Sequence, residues 1–505
     1  MTRRASGILL HPTSLPGPYG IGDLGQNARF YLHWLQEAGQ TIWQMLPLVP
    51  PGAGHSPYDG SSAFAGNPML TSPADLVDVG FLKASDLDGA PDFGSGSVQF
   101  ERVGAWKTAL LRLAWRRFQD SGSAREKEQF ESWASESEQS PWLDDWALFA
   151  SLKNHFNGEP WSEWPPDLRA REASGLEAAR RELQPELGYH KFVQYLFASQ
   201  WSRLKAAAAQ SGVRLLGDMP FYVALDSADV WAHRDLFKVS ADGLPTYVAG
   251  VPPDYFSSTG QRWGNPVFEW QRHEANGFRW WTQRVGFSLA LYDMVRIDHF
   301  RAFSSYWEID ANEPTAVHGH WEPGPGLGLF ERLREVLGEL PLVAEDLGLI
   351  TPEVKDLKRQ LGLPGMKVLQ FGFDSHDSEH LPHNFTRDTV AYTGTHDNDT
   401  AAGWLDQLAP EQYRSVLDYV GGDGAEAHWD LIRSILNSVA DLAILPMQDV
   451  LGLGSQHRMN TPASCEGNWG WRLQPDMADT GTAARLRRLA VLSGRFDPDS
   501  QEPRP

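Results

Sequence analysis

The chain reads as an α/β protein, a (β/α)8 TIM barrel with large inserted subdomains, and three observations predict this fold. Eight short β-rich runs end in polar or acidic residues, and several are followed by stretches with helical apolar spacing. No Gly-rich phosphate loop follows the first run. Its place is taken by His11-Pro12-Thr13-Ser14-Leu15-Pro16-Gly17-Pro18-Tyr19-Gly20, a rigid turn that cannot offer consecutive N–H donors and so argues against a doubly wound open sheet. Finally, four of the runs close on acidic groups, at the strand ends where a barrel carries its chemistry.

Taken in order, the predicted strands are 7–10, 41–46, 213–216, 294–297, 342–344, 367–371, 390–392 and 443–446. Amphipathic helical patterns at 28–35, 330–337 and 412–420 suit the outer layer of a barrel. The gap between the second and third strands is far longer than an ordinary βα connection, so it must hold an inserted subdomain. Within it, 142–209 reads as helical, with Val193, Leu196, Phe197, Trp201 and Leu204 on one stripe, while 120–140 is polar surface and 89–96 a loop. The resulting division is 1–50 for the start of the barrel and 51–210 for the largely helical insertion. Residues 211–495 make the rest of the barrel, with an active-site loop near 250–266 and a last helix at 482–492, and 496–505 form a disordered tail. No internal repeat emerges.

Composition narrows the function. Lys plus Arg number 44 against 65 Asp plus Glu, and the net charge of -21 repels phosphate backbones and anionic lipid heads. Neither nucleic acid nor a membrane is expected as a partner, and the short basic segment Arg485-Leu486-Arg487-Arg488 reads as a solvated helix face. The single cysteine, Cys465, permits no intramolecular disulfide and fits a reducing compartment. Behind Arg3 and Arg4 the apolar run is too short for a signal-peptide core, and no apolar stretch is long enough to span a bilayer, so a cytoplasmic protein is expected. The 21 Trp stand out: indole faces stack on the C–H faces of sugar rings, although most are expected simply to fill a core.

The acidic strand ends are Gly217-Asp218, Arg296-Ile297-Asp298-His299, Glu345-Asp346 and His396-Asp397-Asn398-Asp399. Cleaving a glycosidic bond with retention needs a carboxylate nucleophile and a carboxylic acid about 5–5.5 Å apart. Neighbouring strands four and five can supply them as Asp298 and Glu345. Arg296 shares a face with Asp298 by the two-residue alternation of a strand, where it would keep that carboxylate ionised. Glu345 follows Leu342-Val343-Ala344, a less polar setting that suits a proton donor which later acts as base. Asp397 would grip sugar hydroxyls and help distort the ring, with His299 and His396 as hydroxyl partners. Each position alone has a simpler reading as a helix cap or an ion-pair partner, but three together at the ends of strands four, five and seven outweigh it. A metal at His396-Asp397-Asn398-Asp399 is disfavoured, because the ligand alternation of a calcium loop and any HExxH are missing.

Three segments resemble the active-site motifs of the amylomaltases, within the wider α-amylase superfamily. They are Arg296-Ile297-Asp298-His299-Phe300-Arg301, Ala344-Glu345-Asp346-Leu347-Gly348 and Tyr392-Thr393-Gly394-Thr395-His396-Asp397-Asn398-Asp399-Thr400. Similar blocks run along nearly the whole chain, among them Ser56-Pro57-Tyr58, Phe64-Ala65-Gly66-Asn67-Pro68, 250–256 and Gly260-Gln261-Arg262-Trp263-Gly264-Asn265-Pro266. The resemblance implies a 4-α-glucanotransferase acting on maltooligosaccharides, glucose and starch- or glycogen-type α-glucans without a cofactor. It implies Asp298 as nucleophile, Glu345 as acid/base and Asp397 as transition-state stabiliser. Further implied are substrate contacts for Tyr58, Asp218, Trp263, Arg296, His299, His396 and Asn468, and a lid over 250–263. One departure is visible: the family pattern Met-Asn-x-Pro-Gly is here Met459-Asn460-Thr461-Pro462-Ala463, just before Asn468. The carboxylates do not choose between a sugar acceptor and water, so an α-1,4-glucan hydrolase is the alternative enzyme, and a non-catalytic glucan-binding barrel is the alternative outside catalysis.

Overall fold

A computed structural model describes residues 4–136, 140–253, 257–464 and 466–499. Twelve strands form among these residues: β1 (Ala5–Leu9), β2 (Ile42–Gln44), β3 (Arg214–Met219), β4 (Tyr247–Val251), β5 (Gln261–Pro266), β6 (Met294–Ile297), β7 (Ser305–Asp310), β8 (Gly319–Pro323), β9 (Leu342–Ala344), β10 (Gly365–Val368), β11 (Thr389–Tyr392) and β12 (Leu442–Pro446). Eight of them close into a parallel barrel in the order β1-β12-β11-β10-β9-β6-β3-β2. β1 joins the ends of the cycle by pairing with both β12 and β2. These are the eight runs read from the sequence. They are mostly apolar because a parallel strand in a barrel is covered on both faces, by the barrel interior and by the outer helices, and polar exceptions such as Asp218 and Arg296 lie toward their carboxyl ends.

One strand is displaced from its predicted place. The run expected at 367–371 is a strand only over Gly365–Val368, and Leu369–Phe371 coil into a short 3-10 helix. Pro364-Gly365 resembles turn punctuation, but the glycine is needed for space: a side chain there would overlap the Asp346 carboxylate and the Lys358 ammonium paired with it. Asp346 also accepts from Met366 N at 2.7 Å and so fixes where the strand begins.

The segment between β2 and β3 is mainly helical, with helices Phe100–Ser121, Ala124–Ser135, Ser140–His155, Ala173–Glu182 and Gln184–Gln210. Val193, Leu196, Phe197, Trp201 and Leu204 all lie buried along the last of these. Val193 and Leu196 join Leu110, Leu111, Phe118 and Phe192 in a core separate from that of the barrel. The longest insertion thus holds some apolar packing of its own, while Phe197 and Trp201 belong to the barrel's core.

The remaining four strands form an antiparallel sheet ordered β5-β4-β7-β8, which the sequence reading did not foresee. The expected loop near 250–266 is largely a hairpin of this sheet, with Gly250 opposite Arg262 and Val251 opposite Gln261. Short polar strands rich in Gly and Trp, with a register shift between Val248 and Gly250, break the alternation that would announce them. The tip of the expected lid, Asp254, Tyr255 and Phe256, lies outside the described residues, as does Cys465. Of the expected tail, 500–505 also lie outside them, whereas Phe496 is placed with the Arg487 guanidinium 4.6 Å from its ring.

Candidate active site

Because all eight barrel strands run the same way, their carboxyl ends meet on one face, and the backbone ladder there extends into the acidic segments. Asp298 N donates to Met219 O and Glu345 N to Ile297 O, each at 3.0 Å, which carries the pairing of β3, β6 and β9 one residue past the strands. Gly217 lets this face close tightly, since a side chain at that position would overlap the Tyr292 ring. The neighbouring Asp218 is buried at the end of β3.

Arg296 links the floor of the site. Its Nη1 donates to both oxygens of Asp218, at 2.8 and 2.6 Å, and its Nη2 donates to Asp298 Oδ1 at 2.9 Å. Tyr58, from the β2–β3 connection, donates its hydroxyl to Asp218 Oδ2 at 2.8 Å. The Arg296 and Asp218 side chains are only 5% and 0% exposed, while Asp298 keeps 31% of its side chain open to the cleft. The expected effect of Arg296 on Asp298 is therefore incomplete. Burial raises the Asp298 carboxyl above the ordinary range; Arg296 opposes this, and the charges of Asp218 and Asp397 add to the rise.

Glu345 is shifted further. Burial first, and the Asp298 charge second, push it up to about 7, against the pull of Arg296 and of two backbone donors. Those donors are His299 N on Oε2 at 2.7 Å and Leu347 N on Oε1 at 2.9 Å. His299 can aim its N–H this way because its backbone is left-handed, at φ 51° and ψ 46°. The proton shared by the two acids belongs on Glu345, since Asp298 alone touches the guanidinium. Burial lowers the His299 ring to about 3, with Arg301 adding to the effect, so the ring is neutral, and its buried Nε2 has no hydrogen-bond partner among the described residues. Trp263, 39% exposed on β5, sets its indole edge-on to this imidazole with centroids 4.9 Å apart.

The opposite wall comes from the segment after β11. His396 Nε2 lies 3.2 Å from Asp397 Oδ2, and Asn460 Nδ2 donates to Asp397 Oδ1 at 2.6 Å. Burial alone would raise Asp397, but His396 and then Asn460 and Arg296 more than offset it and hold the carboxyl at about 2. Burial likewise works against the His396 charge, and Asp397 reverses the outcome and raises it. The His396 ring stacks on Tyr58 with centroids 5.1 Å apart, and Trp469 leans on both rings at 5.9 and 6.0 Å.

Of the acidic strand ends, Asp346 and Asp399 serve the scaffold. Asp346 holds β10 and Lys358, while Asp399 Oδ2 accepts from Gln407 at 2.5 Å and Ser455 at 2.8 Å. Among the described residues no cluster of His, Cys, Asp and Glu could hold a metal ion. The fold thus gathers Tyr58, Asp218, Arg296 and Asp298 in one bonded group, with Glu345, His299 and Trp263 on one side and His396 and Asp397 on the other. Asn468 sits apart: its amide is bonded to Thr461 and Ser464 of its own loop. Asn460 and Trp469 went unnoticed as site residues. Asn460 lies inside the quoted Met459–Ala463 pattern and Trp469 directly follows Asn468, so the motif drew attention to the segment, but no strand position says where either side chain goes, because each reaches the cleft through a loop.

The profile of the 4-alpha-glucanotransferase family matches residues 10–478. The chain is 48% identical over 502 residues to the 4-alpha-glucanotransferase of Thermus thermophilus, covering 98% of this chain and 99% of that one. The chain belongs to the 4-alpha-glucanotransferase family. The family member of Synechocystis sp. is 46% identical over 500 residues, with 98% and 99% covered. In structure, the amylomaltase of Streptococcus agalactiae in complex with acarbose superposes with a TM-score of 0.95 at 37% identity, covering 98% of this chain and all (100%) of that one. The family's fold is thus the closed barrel described above. No helix among the described residues is long and apolar enough to cross a membrane.

Proposed function

We propose that the three carboxylates at the barrel mouth carry out a retaining double displacement that moves α-1,4-glucan segments from a donor to glucose or an oligosaccharide acceptor. The chain is a 4-α-glucanotransferase, a glycosyltransferase of α-1,4-glucans, and the reading assigns the steps. Asp298 attacks the anomeric carbon while Glu345 gives its proton to the departing glycosidic oxygen, so the C–O bond to the leaving chain breaks as a glycosyl-aspartate ester forms. The acceptor 4-hydroxyl then passes its proton to Glu345 and attacks the same carbon, releasing Asp298. Esterification removes the Asp298 charge that helps hold the Glu345 proton, which turns the acid into a base at the right moment.

Asp397, held at about 2, remains an anion to stabilise positive charge on the distorted ring. Tyr58, Trp263, His299 and His396 contact sugar, with Asp218 and Arg296, expected as contacts too, buried just beneath them, and the unpartnered His299 Nε2 is a natural hydroxyl partner. Asn468, a sugar contact by resemblance, has its amide engaged by Thr461 and Ser464 and stands behind the others as a support. Maltooligosaccharides and starch- or glycogen-type chains are the substrates. A net charge of -21 and a single cysteine favour a cytoplasmic enzyme without nucleic-acid or membrane partners. We also read 51–210 as an insertion into a barrel made by 1–50 and 211–495.

The observation that carries this reading is the pair of acids at the ends of the neighbouring strands β6 and β9, one on a guanidinium and the other raised to about 7. Incubation with maltotriose alone, followed by chromatography, tests it. Glucose should appear together with maltopentaose and longer products, and Asp298→Asn should abolish both, by at least about 10⁴-fold. Small sugars without longer products would mean a hydrolase, and a rate unaffected by Asp298→Asn would remove Asp298 as nucleophile.

A further inference from the structure

The loop after β12 holds an arrangement that the two displacement steps do not themselves call for. Asp397 is bound on both oxygens, by His396 at Oδ2 and by Asn460 at Oδ1, so the plane of the carboxylate is fixed while each oxygen retains lone-pair capacity for a sugar hydroxyl. Arg458 Nη2 donates to the main-chain carbonyl of Asp397 at 2.9 Å, and its Nε donates to the carbonyl of Asn460 at 3.2 Å. Backbone and side chain of Asp397 are therefore both tied to 458–460.

That segment is itself held by a side chain. Asn468 Oδ1 accepts from Thr461 N at 2.9 Å, and its Nδ2 donates to Ser464 O at 2.9 Å, so one amide clamps both ends of the turn 461–464. Trp469 N donates to Met459 O at 2.7 Å and closes the loop beneath it.

We propose that Asn460 is a positioning residue for the transfer reaction, holding the Asp397 carboxylate in the orientation that meets the distorted sugar, and that Asn468 acts through it by closing the turn behind. The proposal rests on the reading of Asp397 given above. The residue type is specific: the position needs a neutral donor, because a carboxylate at the same place would set a like charge against Asp397. The other groups facing Asp397 are His396 on its own segment, Arg296 and Asp298 from the end of β6, and the Tyr58 hydroxyl.

Two variants assayed on maltotriose test it, with circular dichroism and a thermal midpoint to verify folding. Asn460→Ala should lower kcat about 10- to 100-fold with KM within about twofold, the signature of a misplaced group that acts in the transition state. Asn460→Asp should be weak at about pH 8 and gain activity relative to the parent toward about pH 5, because one proton shared by the carboxylate pair restores a donor to Asp397. A merely structural asparagine would give the same loss at every pH. Unchanged kcat, a loss confined to KM, or a pH-independent Asn460→Asp would each overturn the proposal. Asp397→Asn separates the two levels. If it stays active, the underlying assignment fails; if it is inactive while the Asn460 variants match the parent, only the positioning role fails. Should Asn460→Asp not fold, Asn468→Ala, with an expected smaller fall in kcat and unchanged KM, decides the matter.

Discussion

The two walls of the cleft are held in place by different means. Asp298 and Glu345 prolong the hydrogen-bond ladder of β3, β6 and β9, and Arg296 bonds Asp218 and Asp298 from within that ladder. Across from them, Asp397 and His396 ride on a connection with no strand partner, and their anchors are side chains. Asp449 Oδ2 accepts from Thr393 Oγ1 at 2.6 Å and its Oδ1 from Ala401 N at 2.7 Å, which clips the two ends of that connection, while Asn460 and Asn468 brace it from the next loop. On the proposed mechanism the covalent chemistry sits on the rigid wall, whose geometry follows from barrel closure. The wall proposed to grip the sugar depends on a few polar contacts that single substitutions can reach.

The largest test of this contrast is Arg296→Met. It leaves the buried Asp218 without its cation, and breaking a buried pair in this way costs about 3–5 kcal/mol. Urea unfolding should show that loss together with abolished transfer. A loss under about 1 kcal/mol would mean that the ladder, and not the ion pair, carries the rigid wall.

Next comes Glu345→Gln. Glu345 titrates near 7 in the folded chain against an ordinary 4.5, so the folded state holds its proton more tightly than the unfolded chain does. Stability from this group is present below about pH 4.5 and is lost as pH rises through 7. The glutamine variant should therefore be inactive, and its stability relative to the parent should rise by up to about 2–3 kcal/mol between about pH 4 and pH 8, from a starting point below the parent because the amide can accept only one of the two backbone N–H groups that Glu345 accepts. Thermal midpoints across that range check it, and a gap independent of pH would remove the raised carboxyl from the rigid wall. The parent's kcat/KM should fall on the alkaline side near the same value as the acid is lost.

The smallest effect belongs to the loop-borne wall. Ala463, where the family pattern has glycine, sits at φ 64°, a left-handed backbone that costs an L-residue roughly 1–2 kcal/mol. Ala463→Gly should gain about 1 kcal/mol, less the added freedom of the unfolded chain, and raise the thermal midpoint slightly while leaving kcat unchanged. A lower midpoint would show that the Asn468 clamp already accommodates the alanine without strain.

Most of the barrel was legible because a strand covered on both faces is mostly apolar, and such runs ending in acids stand out in any chain. Asp218, Arg296, Asp298 and Glu345 were visible for the same reason: position along a strand fixes where a side chain emerges. The sheet of β4, β5, β7 and β8 was not legible, because half-exposed strands carrying Gly250, Gly264 and Gly319 lack a readable period. Nor were Asn460 and Trp469, since a loop residue's destination depends on the path of its loop.

What the sequence by itself determined is therefore the barrel, the identity of its acidic strand ends and the sign of the charge between Arg296 and its two partners. Tertiary structure alone decided which acid keeps the proton. Burial outweighs Arg296 at Asp298 and acts with the Asp298 charge at Glu345, while His396 and Asn460 overcome it at Asp397. Desolvation and neighbouring charge are properties of the assembled site, and no local pattern in the chain encodes them.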